Sequence, residues 1–211
     1  MIRHFAPSLV ACFLLVAAPL HGAEDESFDP HSVDEKAAIA CALSAPEYMG
    51  FALSVSGEDG IAATRGWRKL EGENPFLSEY ELPAPIRIMG HETRRIAFSG
   101  SAIMAVLDVA DPGDLARGEG IANSLSAGPL GDALLAWNAA RQGNGGKEPA
   151  FRKFLGEKVL SDVTEPAEGD STWGQRTTVT RTISNVTTHP GKTFYGCSYR
   201  IELLDRQGNP L

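Results

Sequence analysis

From Thr177 to Asp205 the chain carries a pattern that only an extended hairpin satisfies. Tyr195, Cys197, Tyr199, Ile201 and Leu203 fall on one side of a period-two alternation, and Phe194, Gly196, Ser198, Arg200 and Glu202 on the other. Such a period belongs to a strand with one buried and one wetter face. The preceding run, Thr177 to Thr188, is rich in Thr, Val and Ile, which suit a pleated surface. Between the two runs, His189-Pro190-Gly191-Lys192 has the composition of a reversing turn. A long antiparallel hairpin with a cysteine on its inner face follows, and the rest of the chain must cover that face.

Residues 1–23 read as a secretory leader rather than as fold. Arg3 supplies the basic start, Leu9 to Leu20 the apolar stretch, and His21-Gly22-Ala23 small residues near a cut. Leu9-Val10-Ala11-Cys12 resembles a lipoprotein box, yet the longer apolar run follows Cys12 instead of preceding it. The apolar stretch is short for a membrane span, and no later segment is apolar enough to make one. The expectation is a secreted protein, periplasmic or extracellular, that does not span the membrane.

About 188 residues remain, enough for one domain with a sizeable core. The whole chain carries a formal charge of −8, and the leader contributes one Arg and no acid. An acidic chain without a basic run offers no footprint for nucleic acid or anionic lipid. Removing the leader removes Cys12 and leaves Cys41 and Cys197. In an oxidising compartment two cysteines pair, the alternative being two buried thiols. A Cys41–Cys197 bridge would close a long loop, for which chain entropy allows about 5 kcal/mol.

In chain order, residues 24–31 are a polar, mobile lead into the single domain of residues 24–211. Ser32-Val33-Asp34-Glu35 has the form of a capping box, predicting a helix from Val33 to about Ala45 with Cys41 facing inward. Phe51, Leu53 and Val55 alternate, and with Ile61, Ala63, Arg65 and Trp67 they predict a first hairpin. Tyr80 to Ile88 alternates cleanly, with Pro83 and Pro85 implying an edge or a bulge. Arg94 to Ser99 and Ala102 to Asp108 are further strands, the second apolar on both faces and so central. Asp111-Pro112 starts a short helix. A second helix fits Pro129 to Gln142, one helical turn fits Phe151 to Leu155, and a strand returns at Val159 to Val163. The fold expected is α+β: one domain, a largely antiparallel sheet of about six to eight strands, two or three helices on one side, and one disulfide.

Catalytic signatures are sparse. His91 and His189 lie in turns, and Ser99 and Ser101 lie between strands without the Gly-x-Ser-x-Gly of a nucleophile elbow. Cys197 sits at mid-strand, away from any electropositive helix terminus that would make a thiolate. No His or Cys pair has zinc spacing, and Asp108, Asp111 and Asp114 are better explained as helix-start residues than as calcium ligands. Glu79 and Glu81 share a strand face and are a candidate acid/base pair, although two carboxylates on a wet face are commoner. No phosphate loop or dinucleotide fingerprint is present. No cofactor, metal or catalytic set is therefore expected.

What remains points to a binding surface. Trp67, Phe76, Trp173 and an outward Phe194 are large rings near turns or strand faces, and rings dominate interface anchor positions. The tip of His189 and Lys192 adds a candidate contact loop. Arg65, Arg68, Arg94, Arg95, Arg181 and Arg200 are expected to make scattered salt links on the exposed sheet face. The expected function is a non-enzymatic secreted binding protein, of the inhibitor or immunity type, whose partner is another protein or an envelope component. Two alternatives differ in class. A hydrolase of cell-wall or other extracellular polymer needs a cleft gathering His91 or His189 with an acid or serine. A carrier of a small apolar ligand needs an enclosed apolar cavity.

Overall fold

A computed structural model describes residues 28–72, 74–124 and 153–211. They build one seven-stranded antiparallel sheet: β1 Arg68–Leu70, β2 Ser78–Ile88, β3 His91–Ser99, β4 Ala102–Leu107, β5 Leu155–Glu165, β6 Trp173–Ser184 and β7 Thr193–Asp205. The spatial order is β1-β2-β3-β4-β7-β6-β5. Two meanders, β1 to β4 and β5 to β7, therefore meet where β4 pairs with β7, with Ile103 opposite Cys197 and Ala105 opposite Tyr195. Every residue of β4 is buried, which accounts for its lack of alternation. The β6–β7 hairpin is in register from Trp173 opposite Asp205 to Ser184 opposite Phe194. Its turn is closed by Lys192 N–H donating to His189 O at 3.2 Å, with Gly191 at φ 72°, a left-handed conformation that glycine adopts without strain.

Four short helices stand among the described residues: α1 Glu35–Ile39, α2 Ala45–Leu53, α3 Ile61–Thr64 and α4 Gly113–Glu119. The first two pack on β7. Tyr48 of α2 stacks on Tyr199 with ring centroids 4.4 Å apart, and the Tyr199 hydroxyl donates to Ala38 O at 2.6 Å. Trp67, Tyr80 and Phe98 extend the same core across β2 and β3. A smaller apolar cluster of Ala97, Ala102, Met104, Val106 and Phe194 lies on the sheet's other face. The α+β class, the largely antiparallel sheet and the disulfide agree with expectation. The Cys41–Cys197 bridge spans 156 residues of sequence, with the two Cα atoms 5.3 Å apart.

The helices depart from the sequence reading in two places. Of the helix expected from Val33 to Ala45, only Glu35–Ile39 forms; the chain turns at Cys41, which sits at φ 64°, and α2 starts at Ala45. The break has a partner. Arg181, reaching up from β6, donates to Ile39 O at 2.6 Å and Ala40 O at 3.0 Å, so the end of α1 spends its free carbonyls on a guanidinium. The capping box belongs to the second helix: Ser44 accepts from Glu47 N–H, and Glu47 accepts from Ser44 N–H at 2.7 Å. Asp34, not Ser32, caps α1, and Pro46 opens α2 instead of ending a helix.

The hairpin expected over 51–67 is also helical. Phe51, Leu53 and Val55 alternate in sequence, yet Tyr48, Phe51 and Val55 are buried while Leu53 is 76% exposed. That is the spacing of a helical face, and the cap at Ser44 selects it. The turn into α3 is tight: a Cβ on Gly60 would lie 2.7 Å from the carbonyl oxygen of Val55. Arg65 at the end of α3 pairs with Glu35 at 2.9 Å and donates to His31 O and Val33 O, fastening residues 30–33 to the domain. Pro30–Ser32, where the polar lead of residues 24–31 joins the domain, forms a 3-10 turn.

Elsewhere the sequence reading agrees in part. The register of β2 on β3 shifts between Glu81 and Ile86, the stretch that holds Pro83 and Pro85. Asp111 accepts from Gly113 N–H at 2.8 Å at the start of α4, and Gly120 at φ 67° ends it. Leu155 opens strand β5 instead of closing a helical turn. The leader and the helix expected over 129–142 lie outside the described residues. Among the described residues no helix is long and apolar enough to cross a membrane.

Candidate functional site

Two places on the sheet carry chemistry that packing alone does not use. The first is on the face away from the helices, where the hairpin tip folds back over β2. The His189 ring stands edge-on to Phe194 with centroids 5.0 Å apart. Its Nε2 lies 2.6 Å from Glu79 Oε1, and its Nδ1 lies 3.0 Å from the Thr188 hydroxyl. Arg95 Nη2 donates to the other carboxylate oxygen of Glu79 at 2.5 Å. A hydroxyl, an imidazole, a carboxylate and a guanidinium are thus bonded in series. Glu79 is 2% exposed and His189 7%. A buried carboxylate demands such partners, because leaving it alone costs several kcal/mol.

The same group types in series serve hydrolases as a proton relay. Here the imidazole and the carboxylate are buried, while Thr188 at one end of the series is exposed. No described depression is lined by Thr188, His189 or Glu79. An open one of about 280 Å³ touches only the outer end of the series, at Arg95, and also takes in Glu81, Glu92, Asp108 and Lys192. Lys192 ion-pairs with Asp108 at its rim. A second open depression of about 230 Å³ lies between α2 and Phe76. Neither is the enclosed apolar cavity that a carrier of a small apolar ligand needs.

The second place is the far end of the β5–β6–β7 ladder. Ten of the eleven residues of β5 are exposed, and Gly156 alone is buried. The register puts Val163 opposite Thr177, Gln175 opposite Leu203, and Trp173 opposite Asp205. Paired residues share a face, so Val163, Trp173 and Leu203 lie on the face that α1 and α2 cover further along. All three stand about half exposed, at 48%, 51% and 49%. Among the described residues the outer edge of β5 is the end of the sheet. Asp162 is held by Arg176, whose hydrogen bond keeps that carboxyl below the usual range.

The residues singled out from sequence separate accordingly. Trp173 is exposed and Lys192 half exposed. Trp67, at 7% exposure, is wedged against Tyr80 with Arg65 stacked 5.7 Å from its ring, so it seals the core. Phe194 is not outward. It points away from the helices, as the alternation implies, but is 1% exposed because Met104, Val106 and His189 cover it. Phe76 is the most open ring, at 83%.

Arg181 also departs from expectation. It lies on the buried face, where it reaches the end of α1 and stacks 4.6 Å from the Tyr195 ring. Glu79 and Glu81 share a face but part in use: Glu79 is buried with His189 and Arg95, while Glu81 pairs with Arg68 at the surface. Ser101 meets the Ser198 hydroxyl at 3.1 Å, and His91 is exposed at the β2–β3 turn. Asp108, Asp111 and Asp114 each have a separate partner: Lys192, Gly113 N–H and Arg117. Among the described residues no three metal-ligating side chains converge.

Sequence reading missed the contact between Glu79 and His189, 110 positions apart. It also missed the bareness of β5, whose one signal was a strand rich in Glu, Asp and Lys. Comparison with known protein families, with curated proteins and with solved structures returned no match.

Proposed function

We propose that this is an exported, non-enzymatic protein that binds another protein or an envelope component, in the manner of an inhibitor or immunity-type protector. The observation that carries the reading is the far end of the ladder. Val163, Trp173 and Leu203 stand half exposed on one face beside an open sheet edge. Large apolar groups of this kind anchor interfaces, and an aromatic at the centre dominates the energy. The leader-like residues 1–23 and the Cys41–Cys197 bridge support an oxidising compartment. The burial of Glu79 and His189 speaks against the hydrolase alternative, which would require the hairpin tip to lift before any substrate met the imidazole.

The test is a paired capture from an envelope extract, using wild type and the double variant Trp173→Ser/Leu203→Ser as baits. The expected result is a partner retained by wild type and lost from the variant. Equal recovery by both, or none by either, refutes the reading.

A further inference from the structure

We propose that the open edge of β5, along Ser161–Glu165, receives an extended cationic segment of the partner as an eighth strand; this deepens, and rests on, the protein-binding reading above. A terminal strand presents a row of free backbone donors and acceptors, and only another strand can satisfy them in sequence. Folded proteins blunt such edges with short strands, charged side chains, bulges, proline or a cover, and β5 has charged residues and one bulge, at Val159/Ser161. β5 runs for eleven residues without a proline. Its one lysine, Lys158, is turned back to donate to Glu119 O at 3.0 Å.

The inner half of the edge is occupied. Leu155 N–H donates to Asn123 and Leu155 O accepts from Ser124. A register shift at Val159/Ser161 then separates that half from the rest. Past the shift, among the described residues, no hydrogen bond reaches the outer backbone of residues 161–165. An added strand there would lay every second side chain beside Val163, on the face of Trp173 and Leu203.

Charge selects the occupant. Residues 155–172 hold Glu157, Asp162, Glu165, Glu168 and Asp170 against Lys158; Asp162 is ion-paired with Arg176, and Arg206 bonds the backbone of Gly169 and Ser171, which leaves the stretch acidic on balance. A second copy would set these acids against themselves, and an anionic bilayer would be repelled. A segment alternating apolar and basic residues matches both the stripe and the charge.

The probe is a fluorescent peptide of alternating valine and lysine, added to the folded, oxidised protein. Anisotropy reads binding, and amide exchange reads its place. The expected result is saturable binding with about tenfold slower exchange of alternate amides within 161–165. Binding should weaken about tenfold when the peptide is N-methylated on alternate residues, and similarly when its lysines become glutamates or the protein carries Glu165→Lys/Glu168→Lys. Equal binding of the N-methylated peptide, protection located elsewhere, or no binding overturns strand addition. Concentration-dependent protection of β5 without peptide, with a dimer in sedimentation, overturns the cationic occupant in favour of a second copy. The capture experiment scores the protein-binding reading separately: a partner lost with Trp173→Ser/Leu203→Ser while the peptide fails leaves that reading intact and sinks only this one.

Discussion

The two ends of the β6–β7 hairpin are made of the same strands with the same alternation, and they live in different surroundings. At the turn end, Ile183, Tyr195 and Cys197 are buried under the helices, while Phe194 is buried on the opposite face. Covalent, ionic and apolar contacts all converge there: the bridge to Cys41, Arg181 against the end of α1, and His189 on Glu79. At the far end, Leu203 and Trp173 are large apolar side chains on the same face and stand about half exposed. Periodicity therefore tells which way a side chain points. What covers it is decided by elements far away in sequence.

That contrast can be broken by mutation, and the effects should fall steeply from one end to the other. The largest is expected for Cys41→Ser/Cys197→Ser, which frees a loop spanning 156 residues and should cost about 4 kcal/mol, measured by urea unfolding with wild type as reference. If the variant loses nothing, the turn end does not depend on its covalent tie. Next comes Glu79→Ala, which leaves Arg95 and the buried His189 without their carboxylate. A loss of about 3 kcal/mol is expected from thermal or chemical unfolding.

Tyr199→Phe removes one hydroxyl from Ala38 O while keeping the stack on Tyr48, with an expected cost of about 1 kcal/mol. The same residue gives a pH test. Burial pushes its phenol from the usual 10.0 up to about 12. Its contribution is complete below pH 10, where an unfolded tyrosine is still protonated, and is lost as pH rises through 12. Unfolding followed from pH 9 upward should show that decline, and Tyr199→Phe should make it shallower. Smallest of all, Trp173→Ser/Leu203→Ser at the far end should alter stability by no more than about 0.5 kcal/mol. A larger loss would mean that the far end is part of the core after all.

How far the sequence could be read follows the same divide. Strands with a clean period were legible: β7, β2 with its proline-marked register shift, and β4 through its unbroken apolar run. The disulfide was legible by counting, since two cysteines remained. The segment 51–67 was not, because Phe51 and Val55 fit both a period-two run with Leu53 and a helical spacing with Tyr48. The cap at Ser44 and packing on β7 decide it. Of the ring residues, Trp173 lies at the surface, whereas Trp67 and Phe194 are buried. Their cover comes from Arg65, His189 and Met104, none of which local pattern could bring near. The series Thr188–His189–Glu79–Arg95 was invisible for the same reason: it joins a turn to two strands across 110 positions.

The covalent tie at Cys197 also has a mechanical meaning. Force applied along β5 would load its ten registered positions with β6 in shear, so that their hydrogen bonds resist together. Force that peels β7 outward from Asp205 meets the bonds one at a time. That unzipping halts at Cys197, where the strand is bonded to the segment that follows α1. The hairpin is thus covalently fixed near its turn end and exposed at its far end.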